Sequence, residues 1–346
     1  MLKRLSLVQK IVLSTCIVLL ITFAALNAIA LKQIYKYSQE QGETIASFTS
    51  KYNSEKLERR FEKVITIAKD IANQTETMVS TGNQSREFIL SIMENTLNLH
   101  DDIFGIALLY ESNKFDNKDI EYINKRGSNS NGQFMPYITR ISDHKFSTEL
   151  SFYSNYSENE TKWYDIPKET HQIYLTEPTT YDVQGKPTTM ASIVVPIIRD
   201  DKFVGVVSVD TSLDYLQKEI EKVRPLGGFS EIVSTGGIYV ASGEDFSKVL
   251  QDVSNSNEWN SVLAKTSKGE EFTKSGISPS TKENVLEVYS TINIKDTDQY
   301  WTYVSIIPFS NILENFNLSF KTILFVGLIL FVFIVYVNYS IISKDL

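Results

Sequence analysis

Residues 163–216 read WYDIPKETHQIYLTEPTTYDVQGKPTTMASIVVPIIRDDKFVGVVSVDTSLDYL, and this stretch decides the fold. Residues 190–198 and 203–209 are rich in β-branched and apolar side chains, and the polar run 199–202 joins them. Two such segments around a short polar connection predict an antiparallel hairpin. Asp210 follows the second strand and precedes a helical pattern. Its carboxylate therefore either caps that helix or points into a cavity that the sheet encloses.

The segments before this hairpin continue an α+β pattern. Residues 85–98 have helical apolar spacing, and 103–110 form the continuous apolar run of a buried strand. A polar excursion at 112–132 precedes two further strands, at 133–141 and 145–152. This order predicts one antiparallel sheet with helices gathered at one end or face.

A second, smaller α+β unit follows the helical segment 212–223, which ends near the turn RPLGG at 224–228. Its order of elements echoes that of the first unit, without a residue-level repeat. Strands are expected at residues 231–234, 237–241, 270–274, 285–292 and 301–307, and helices at 246–253, 259–264 and 309–320.

Two apolar runs, at 11–30 and 322–337, predict membrane-spanning helices, since a helix needs about 20 residues to cross the hydrocarbon layer. Basic residues without acidic neighbours precede the first run and place the N-terminus in the cytoplasm. Small residues at 28 and 30 also fit a signal-peptide cleavage site. The length of the run and its helical continuation favour a retained anchor.

The predicted organisation therefore alternates membrane and extracytoplasmic parts. Its parts are a cytoplasmic N-terminus (1–10), a transmembrane helix (11–31), a long signalling helix (32–78), a membrane-distal module (79–225), a membrane-proximal module (226–308), a juxtamembrane helix (309–321), a second transmembrane helix (322–342) and a cytoplasmic stub (343–346). Residues 32–321 are expected outside the cytoplasm.

An apolar stripe runs along the predicted signalling helix. Its members recur at intervals of four and three residues: Leu57, Phe61, Val64, Ala68 and Ile71. The stripe indicates either a dimer-forming helix or a helix packed on its own domain, and one helix can do both.

Composition excludes several classes of function. The 34 basic and 42 acidic residues give a net charge of −8, which argues against nucleic acid as a partner. The single cysteine, Cys16, allows no disulfide within the chain, and the three histidines are scattered too widely for a metal site. The sequence contains no GxSxG, HExxH or P-loop motif, so neither an enzyme nor a bound cofactor is expected.

Four segments carry a family resemblance: FDNKDIEYIN (115–124), GQFMPYITR (132–140), residues 163–197, and FVGVVSVDTSLDYL (203–216). They resemble the membrane-distal module of the double Cache sensor region (dCache, PAS-like) of bacterial methyl-accepting chemotaxis receptors and related histidine kinases and cyclases. The segment from GGFSEIVSTGGIYVASGED to YWTYVSIIPFSNIL resembles the proximal module more loosely. The resemblance implies two tandem PAS-like antiparallel sheets on a long helix.

The resemblance also implies a ligand site in the distal module. Trp163 and Tyr164 would form aromatic walls, Tyr181 and Asp210 would contact the polar head of the ligand, and Tyr137 would close one side. A desolvated carboxylate gains about 1.5–3 kcal/mol from a charge-assisted hydrogen bond to an ammonium group. Aromatic faces add about 0.5–2 kcal/mol.

Two departures from the family bear on the ligand. Receptors of this family that bind amino acids hold an arginine where this chain has Thr161, and many relatives have tyrosine where it has Thr179. Lys162 and Arg140 are the remaining candidates for a carboxylate partner. The expected ligand is therefore an amine or another small polar organic compound.

The structural alternatives stay open at this stage. The alternative for Asp210 is the N-cap of the helix that follows, and the alternative for the four predicted aromatic residues is ordinary core packing.

The resulting hypothesis is a homodimeric sensor in the bacterial inner membrane that transmits ligand occupancy through its second span. The sequence ends at Leu346, which suggests either a truncated receptor lacking its output domain or a stand-alone sensor with a cytoplasmic signalling partner. The alternatives are the input region of a histidine kinase or diguanylate cyclase, and a structural or adhesive membrane protein that does not signal.

Overall fold

The computed structural model describes residues 7–142, 144–152, 157–278 and 281–344. Its helices are α1 (Leu7–Ser80), α2 (Arg86–Leu99), α3 (Glu158–Thr170), α4 (Leu213–Glu221), α5 (Asn257–Thr266), α6 (Phe309–Ile312) and α7 (Glu314–Lys344). Its strands are β1 (Gly105–Tyr110), β2 (Pro136–Ser142), β3 (Lys145–Leu150), β4 (Tyr174–Leu175), β5 (Thr179–Val183), β6 (Lys186–Arg199), β7 (Lys202–Ser212), β8 (Phe229–Val233), β9 (Tyr239–Ser242), β10 (Phe272–Ile277), β11 (Asn284–Asn293) and β12 (Tyr300–Pro308).

The chain divides into two compact units. One unit contains Thr49–Lys274 and Glu287–Ile306. The other contains the described parts of Met1–Phe48, Ser275–Leu286 and Ile307–Leu346.

The distal sheet confirms the predicted hairpin. Its strands lie in the order β3-β2-β1-β7-β6-β4, and β5 also pairs with β6. Strands β6 and β7 are antiparallel and in register from Met190 opposite Ser212 to Arg199 opposite Lys202. Strand β1 pairs antiparallel with β7 on its other edge. The predicted α+β class is confirmed, with helices beside antiparallel sheets.

The part of helix α1 that follows Phe48 buries its apolar stripe against the compact unit that contains it. Phe61, Val64, Ala68 and Ile71 are all nearly inaccessible to solvent. They form one core with Ile106 and other inward residues of the distal sheet. Burial of each of the three larger side chains, Phe61, Val64 and Ile71, contributes about 1.5–3 kcal/mol. The expectation that the helix packs on its own domain is confirmed, and dimer formation stays a prediction.

The proximal sheet has the strand order β10-β11-β12-β8-β9. The same core contains Trp301 and Tyr303 of β12, and the ring of Trp301 stands edge-on to Phe61 at 5.1 Å. Because side chains alternate along a strand, the neighbouring residue Thr302 faces away from α1. Its hydroxyl lies 2.7 Å from that of Thr266 on α5, so α5 covers the opposite face.

The predicted helix at residues 246–253 is wrong. Only a 3₁₀ turn, Phe246–Lys248, forms there. Leu250 has a positive φ of 70° and donates its N–H to the carbonyl of Tyr239. The Tyr239 N–H in turn donates to the Gln251 carbonyl. Backbone N–H and C=O groups of this segment therefore form hydrogen bonds with the edge strand of the sheet instead of with each other in a helix.

Two described helices are long and apolar enough to cross a membrane, Gln9–Ser80 and Glu314–Asn338. The part of the first up to Phe48 and the whole of the second lie in the remaining unit. Within this unit they touch: the ring of Tyr35 stands edge-on to Phe316 at 5.3 Å, and the Asn338 amide lies 2.8 Å from the Cys16 sulfur. The helix expected from residue 309 starts there as α6 and restarts as α7 after Leu313.

Candidate ligand-binding cavity in the distal module

Strand register brings together the polar residues on the outer face of the distal sheet. Asp210 of β7 lies directly opposite Gly105 of β1 and Ser192 of β6. Ser208, two residues earlier on β7, lies opposite Ala107. Because side chains two residues apart share a face, Ser208 and Asp210 both point away from the α1 core.

Asp210 is a buried carboxylate held by hydroxyl groups. Its side chain is 4 % exposed, and the Ser208 hydroxyl donates to its Oδ1 at 2.8 Å. Burial raises the pKa of Asp210, and hydrogen bonds from Ser192, Ser208 and Tyr137 oppose that rise. The N-cap of α4 is Ser212, whose hydroxyl accepts from the Tyr215 N–H. Asp210 is therefore not the cap of this helix.

A small cavity lies over this carboxylate. Its volume is about 40 Å³, enough for a small ligand or a few waters. It brings together four of the five predicted site residues, which are Tyr137, Trp163, Tyr181 and Asp210. The other described lining residues are Ala107, Glu149, Leu150, Ser151, Asp182, Val183, Met190, Ser192 and Ser208.

Tyr164 lies outside the described lining of the cavity. It follows Trp163 on α3, and consecutive side chains on a helix diverge by about 100°, so only one of the pair faces the cavity. The Tyr164 hydroxyl donates to Glu111 at 2.5 Å, and the Lys168 ammonium binds the same carboxylate at 2.6 Å. Burial raises the pKa of Tyr164 to about 12, and the hydrogen bond to the Glu111 carboxylate contributes to this rise. Its role as a ligand contact stays a prediction.

The charged residues that line the cavity are acidic. Glu149, Asp182 and Asp210 contribute carboxylates, and none of the lining residues within the described part of the chain is basic. The two candidates for a carboxylate partner lie elsewhere. Arg140 donates to the carbonyls of Leu97 and His100, and Lys162 donates to Asn159. The cavity is therefore suited to a cation.

The prediction missed two serines that line the cavity, Ser192 and Ser208, and the sequence contained a signal for Ser208 alone. Ser208 and Asp210 alternate with valines in VVSVD, so strand periodicity places both on one face. Ser192 needs more than periodicity, because only the register of β6 against β7 puts it beside Asp210. Thr176 then fixes Ser192 by two bonds, one from the Ser192 N–H to its hydroxyl and one from its own N–H to the Ser192 carbonyl, both 2.9 Å.

The distal module is similar to sensor domains of known proteins. Residues 89–218 match the family described as "Methyl-accepting chemotaxis protein-like, first PDC sensor domain". The chain is similar to the methyl-accepting chemotaxis protein TlpQ of Pseudomonas aeruginosa, with 26% identity over 174 residues that cover 46% of this chain and 24% of that protein. The chain thus spans about a quarter of the length of this curated relative.

Solved structures share the whole two-sheet arrangement. The extracellular domain of mmHK1S-Z3, described as a histidine kinase, aligns with a TM-score of 0.66 and 25% identity over 82% of this chain and 97% of that one. A protein described as methyl-accepting chemotaxis protein X aligns with a TM-score of 0.62 and 19% identity over 80% and 98%. The two-sheet body is similar to Cache/PDC-type sensor regions, and such relatives imply a membrane protein with an extracytoplasmic part.

Proposed function

We propose that this chain is the input region of a transmembrane sensor whose distal cavity binds a small organic cation, namely an amine. The observation that carries this proposal is the buried carboxylate of Asp210 in a cavity whose described lining residues include acidic but no basic side chains. A buried carboxylate without a counter-charge is costly, and an ammonium group offsets that cost.

The walls suit the same ligand. Trp163, Tyr137 and Tyr181 line the cavity beside the carboxylate, and aromatic faces attract a cation by about 0.5–2 kcal/mol. An α-amino acid is a poorer match, because its own carboxylate would lie among Glu149, Asp182 and Asp210. Like charges at this distance repel, so the proposed ligand has a positive but no negative group.

The proposed transmission is a change in the packing of the sensor. Ligand occupancy shifts the balance between two packings of the sensor only through a difference in affinity for them. In the proposed arrangement residues 32–321 lie outside the cytoplasm, α1 mediates a homodimer, and α7 passes the change across the inner membrane to a cytoplasmic output domain or partner. Receptors and kinases share this fold, so the output is proposed as either a chemotaxis or a kinase module.

A matched set of small molecules tests the proposal. Ethylammonium, ethanol, glycine and acetate are similar in size and differ in charge. We expect ethylammonium to raise the unfolding midpoint of the full chain in nanodiscs, and the neutral, zwitterionic and anionic compounds to leave it unchanged. The test continues with larger primary amines. Stabilisation by glycine or acetate, or by no amine at any size, would contradict the proposal.

The affinity for ethylammonium should depend on pH in one direction. Burial raises the pKa of Asp210, so the carboxyl is increasingly protonated as the pH falls through that raised value. Only the ionised form pairs with a cation, so we expect affinity to rise with pH and then level off. Isothermal titration over a pH series measures this dependence.

Gly105→Ala tests whether the Tyr137 wall shapes the cavity. A Cβ atom at this position would lie 2.8 Å from both Cε2 and the hydroxyl oxygen of Tyr137. Both distances are too short for the Tyr137 side chain to stay in place. We expect the ring to move and ethylammonium affinity to fall by about tenfold, or 1.4 kcal/mol. The unfolding midpoint of the unliganded variant serves as the control. Unchanged affinity would show that the position of this ring does not matter.

A further inference from the structure

The proximal sheet also contains a buried carboxylate on a central strand. Glu231 of β8 is 1 % exposed and lies opposite Val304 of β12. Ile232 beside it belongs to the α1 core, so Glu231 points to the other face, as Asp210 does in the distal sheet. Its Oε1 accepts from the Ser242 hydroxyl at 2.9 Å.

The chain supplies its own cation to this carboxylate. Lys248 is the last residue of the 3₁₀ turn after β9, and its ammonium lies 2.8 Å from Glu231 and 3.0 Å from Glu244. The same ammonium is 5.8 Å from the ring centre of Phe229 and 5.9 Å from that of Tyr239. Two carboxylates and two aromatic faces are the chemistry that recognises an alkylammonium ion.

Aromatic packing builds the wall of this site. Tyr239 stands edge-on to Trp259 at 5.7 Å, and Trp259 stands edge-on to Tyr289 at 6.2 Å. Trp259 belongs to α5, so a helix holds the wall over the sheet. Trp259 contacts Tyr239, and the Tyr239 ring faces the ammonium. The fluorescence of Trp259 can therefore report on occupancy of this site.

Electrostatics agree with a bound ammonium. Burial lowers the pKa of Lys248, but the charges of Glu231 and Glu244 outweigh this effect, and the net pKa lies above its ordinary value. Burial raises the pKa of Glu231, and the Lys248 ammonium opposes that rise. The lysine side chain is 25 % exposed, so the ammonium reaches the site from the surface.

We propose that the proximal module contains a second ammonium site, made by Glu231, Glu244 and the Tyr239 ring, which the chain fills with Lys248 as a tethered ligand. The site takes a primary alkylammonium ion whenever the lysine is removed or withdrawn. Lys248 thereby keeps the proximal site occupied, whereas the proposed distal site is available to a free ligand. This inference is independent of the ligand proposed for the distal cavity.

Chemical rescue tests the site. Lys248→Ala removes three carbons and the ammonium nitrogen, which n-propylammonium replaces. The experiment uses the full chain in nanodiscs with Asp210→Asn also present, so that any distal response is suppressed. We expect n-propylammonium to reverse at least half of the decrease in unfolding midpoint that Lys248→Ala causes. We also expect it to change the tryptophan fluorescence of this variant. n-Propanol should do neither.

Two controls make the result decisive. The Asp210→Asn protein that retains Lys248 should not respond to n-propylammonium, and neither should the Lys248→Ala variant that also carries Glu231→Gln. Equal responses with and without Lys248, or no rescue at any concentration, would overturn the proposal.

A second measurement does not require the lysine variant to fold. Glu231→Gln removes the main counter-charge while leaving Lys248 in place. We expect acylation of Lys248 by an amine-reactive reagent at pH 8 to become at least tenfold faster than in the wild type. Labelling of Lys265, which makes no contact with Glu231 in the described structure, provides the reference rate. An unchanged ratio of the two rates would overturn the tethered-ligand proposal.

Discussion

Asp210→Asn should abolish ethylammonium binding and leave the sensor at least as stable as the wild type. Removing one partner of a buried charge pair costs about 2–5 kcal/mol of affinity, so binding should weaken by at least about 30-fold. The substitution keeps the shape of the side chain, and its carbonyl oxygen can still accept from the Ser208 hydroxyl. Isothermal titration measures the loss.

The stability expectation follows from the direction of the pKa shift. Burial raises the pKa of Asp210, so the folded state binds this proton more tightly than the unfolded state does. Ionisation of Asp210 therefore lowers stability as the pH rises from the unfolded value through the folded one. Asparagine carries no charge to bury, so at pH 7 the variant should melt at the same temperature as the wild type or higher.

Asp182→Asn is the matched control. Asp182 also lines the cavity, but it is exposed, so its charge is screened by water and salt. We expect its substitution to weaken ethylammonium binding only a few-fold, and less at high salt. If Asp210→Asn bound as well as the wild type, Asp210 would not be the anchor, whatever happened at Asp182.

Periodicity predicted the hairpin because both of its strands are buried and apolar. The prediction placed it at 190–198 and 203–209, whereas the strands run over Lys186–Arg199 and Lys202–Ser212. Ladder hydrogen bonds extend a strand into polar residues where side-chain pattern gives no signal. The position of Asp210 on the cavity face was thus within reach of the sequence, but its partner Ser192 required the register.

Helix α3 was not predicted, and this omission affected the site. The segment has low apolar content and contains Pro167, which argues against a helix. Its N-terminal signal is the capping box, in which the Glu160 carboxylate accepts from the Ser157 N–H and the Ser157 side chain accepts from the Glu160 N–H. The resemblance implied that Trp163 and Tyr164 both form walls of the cavity. On this helix their side chains diverge, and of the two only Trp163 lines the cavity.

Two of the segments that carry the family resemblance also have a structural role apart from the cavity. Segments 115–124 and 132–140 supply acceptors and ring contacts for one buried arginine, Arg86. Its partners lie 30 to 46 residues away along the chain. No periodicity links residues so far apart, so this cluster could not be predicted from the sequence.

Arg86→Met should destabilise the sensor by about 3–5 kcal/mol, the usual cost of leaving buried charges without their partner. Arg86 is 2 % exposed, and all five of its N–H groups donate: two to Asp116 at 2.8 Å, and one each to Asp119 at 2.7 Å, Ser128 at 2.8 Å and the Gly132 carbonyl at 2.6 Å. Methionine fills similar space and donates nothing. Urea unfolding of the full chain in nanodiscs measures the loss.

The pH dependence distinguishes lost charge pairing from lost packing. Burial alone would raise the pKa of Asp116, but hydrogen bonds from Arg86 outweigh it and hold the pKa below its ordinary value. That contribution to stability is present above the unfolded pKa and fades as the pH falls. The difference between wild type and Arg86→Met should therefore shrink in acid, because a protonated carboxyl no longer needs the arginine.

Arg59→Met controls for the loss of an arginine as such. Arg59 pairs with Glu55 at 3.7 Å on the exposed side of α1, and its side chain is 58 % exposed. Exposed pairs of this kind contribute about 0.3–0.5 kcal/mol. A loss for Arg86→Met as small as that for Arg59→Met would show that the excursion at 112–132 holds its place by other contacts. A large loss that does not change with pH would assign the role of Arg86 to packing on Tyr122 and Phe134, the two rings its guanidinium covers.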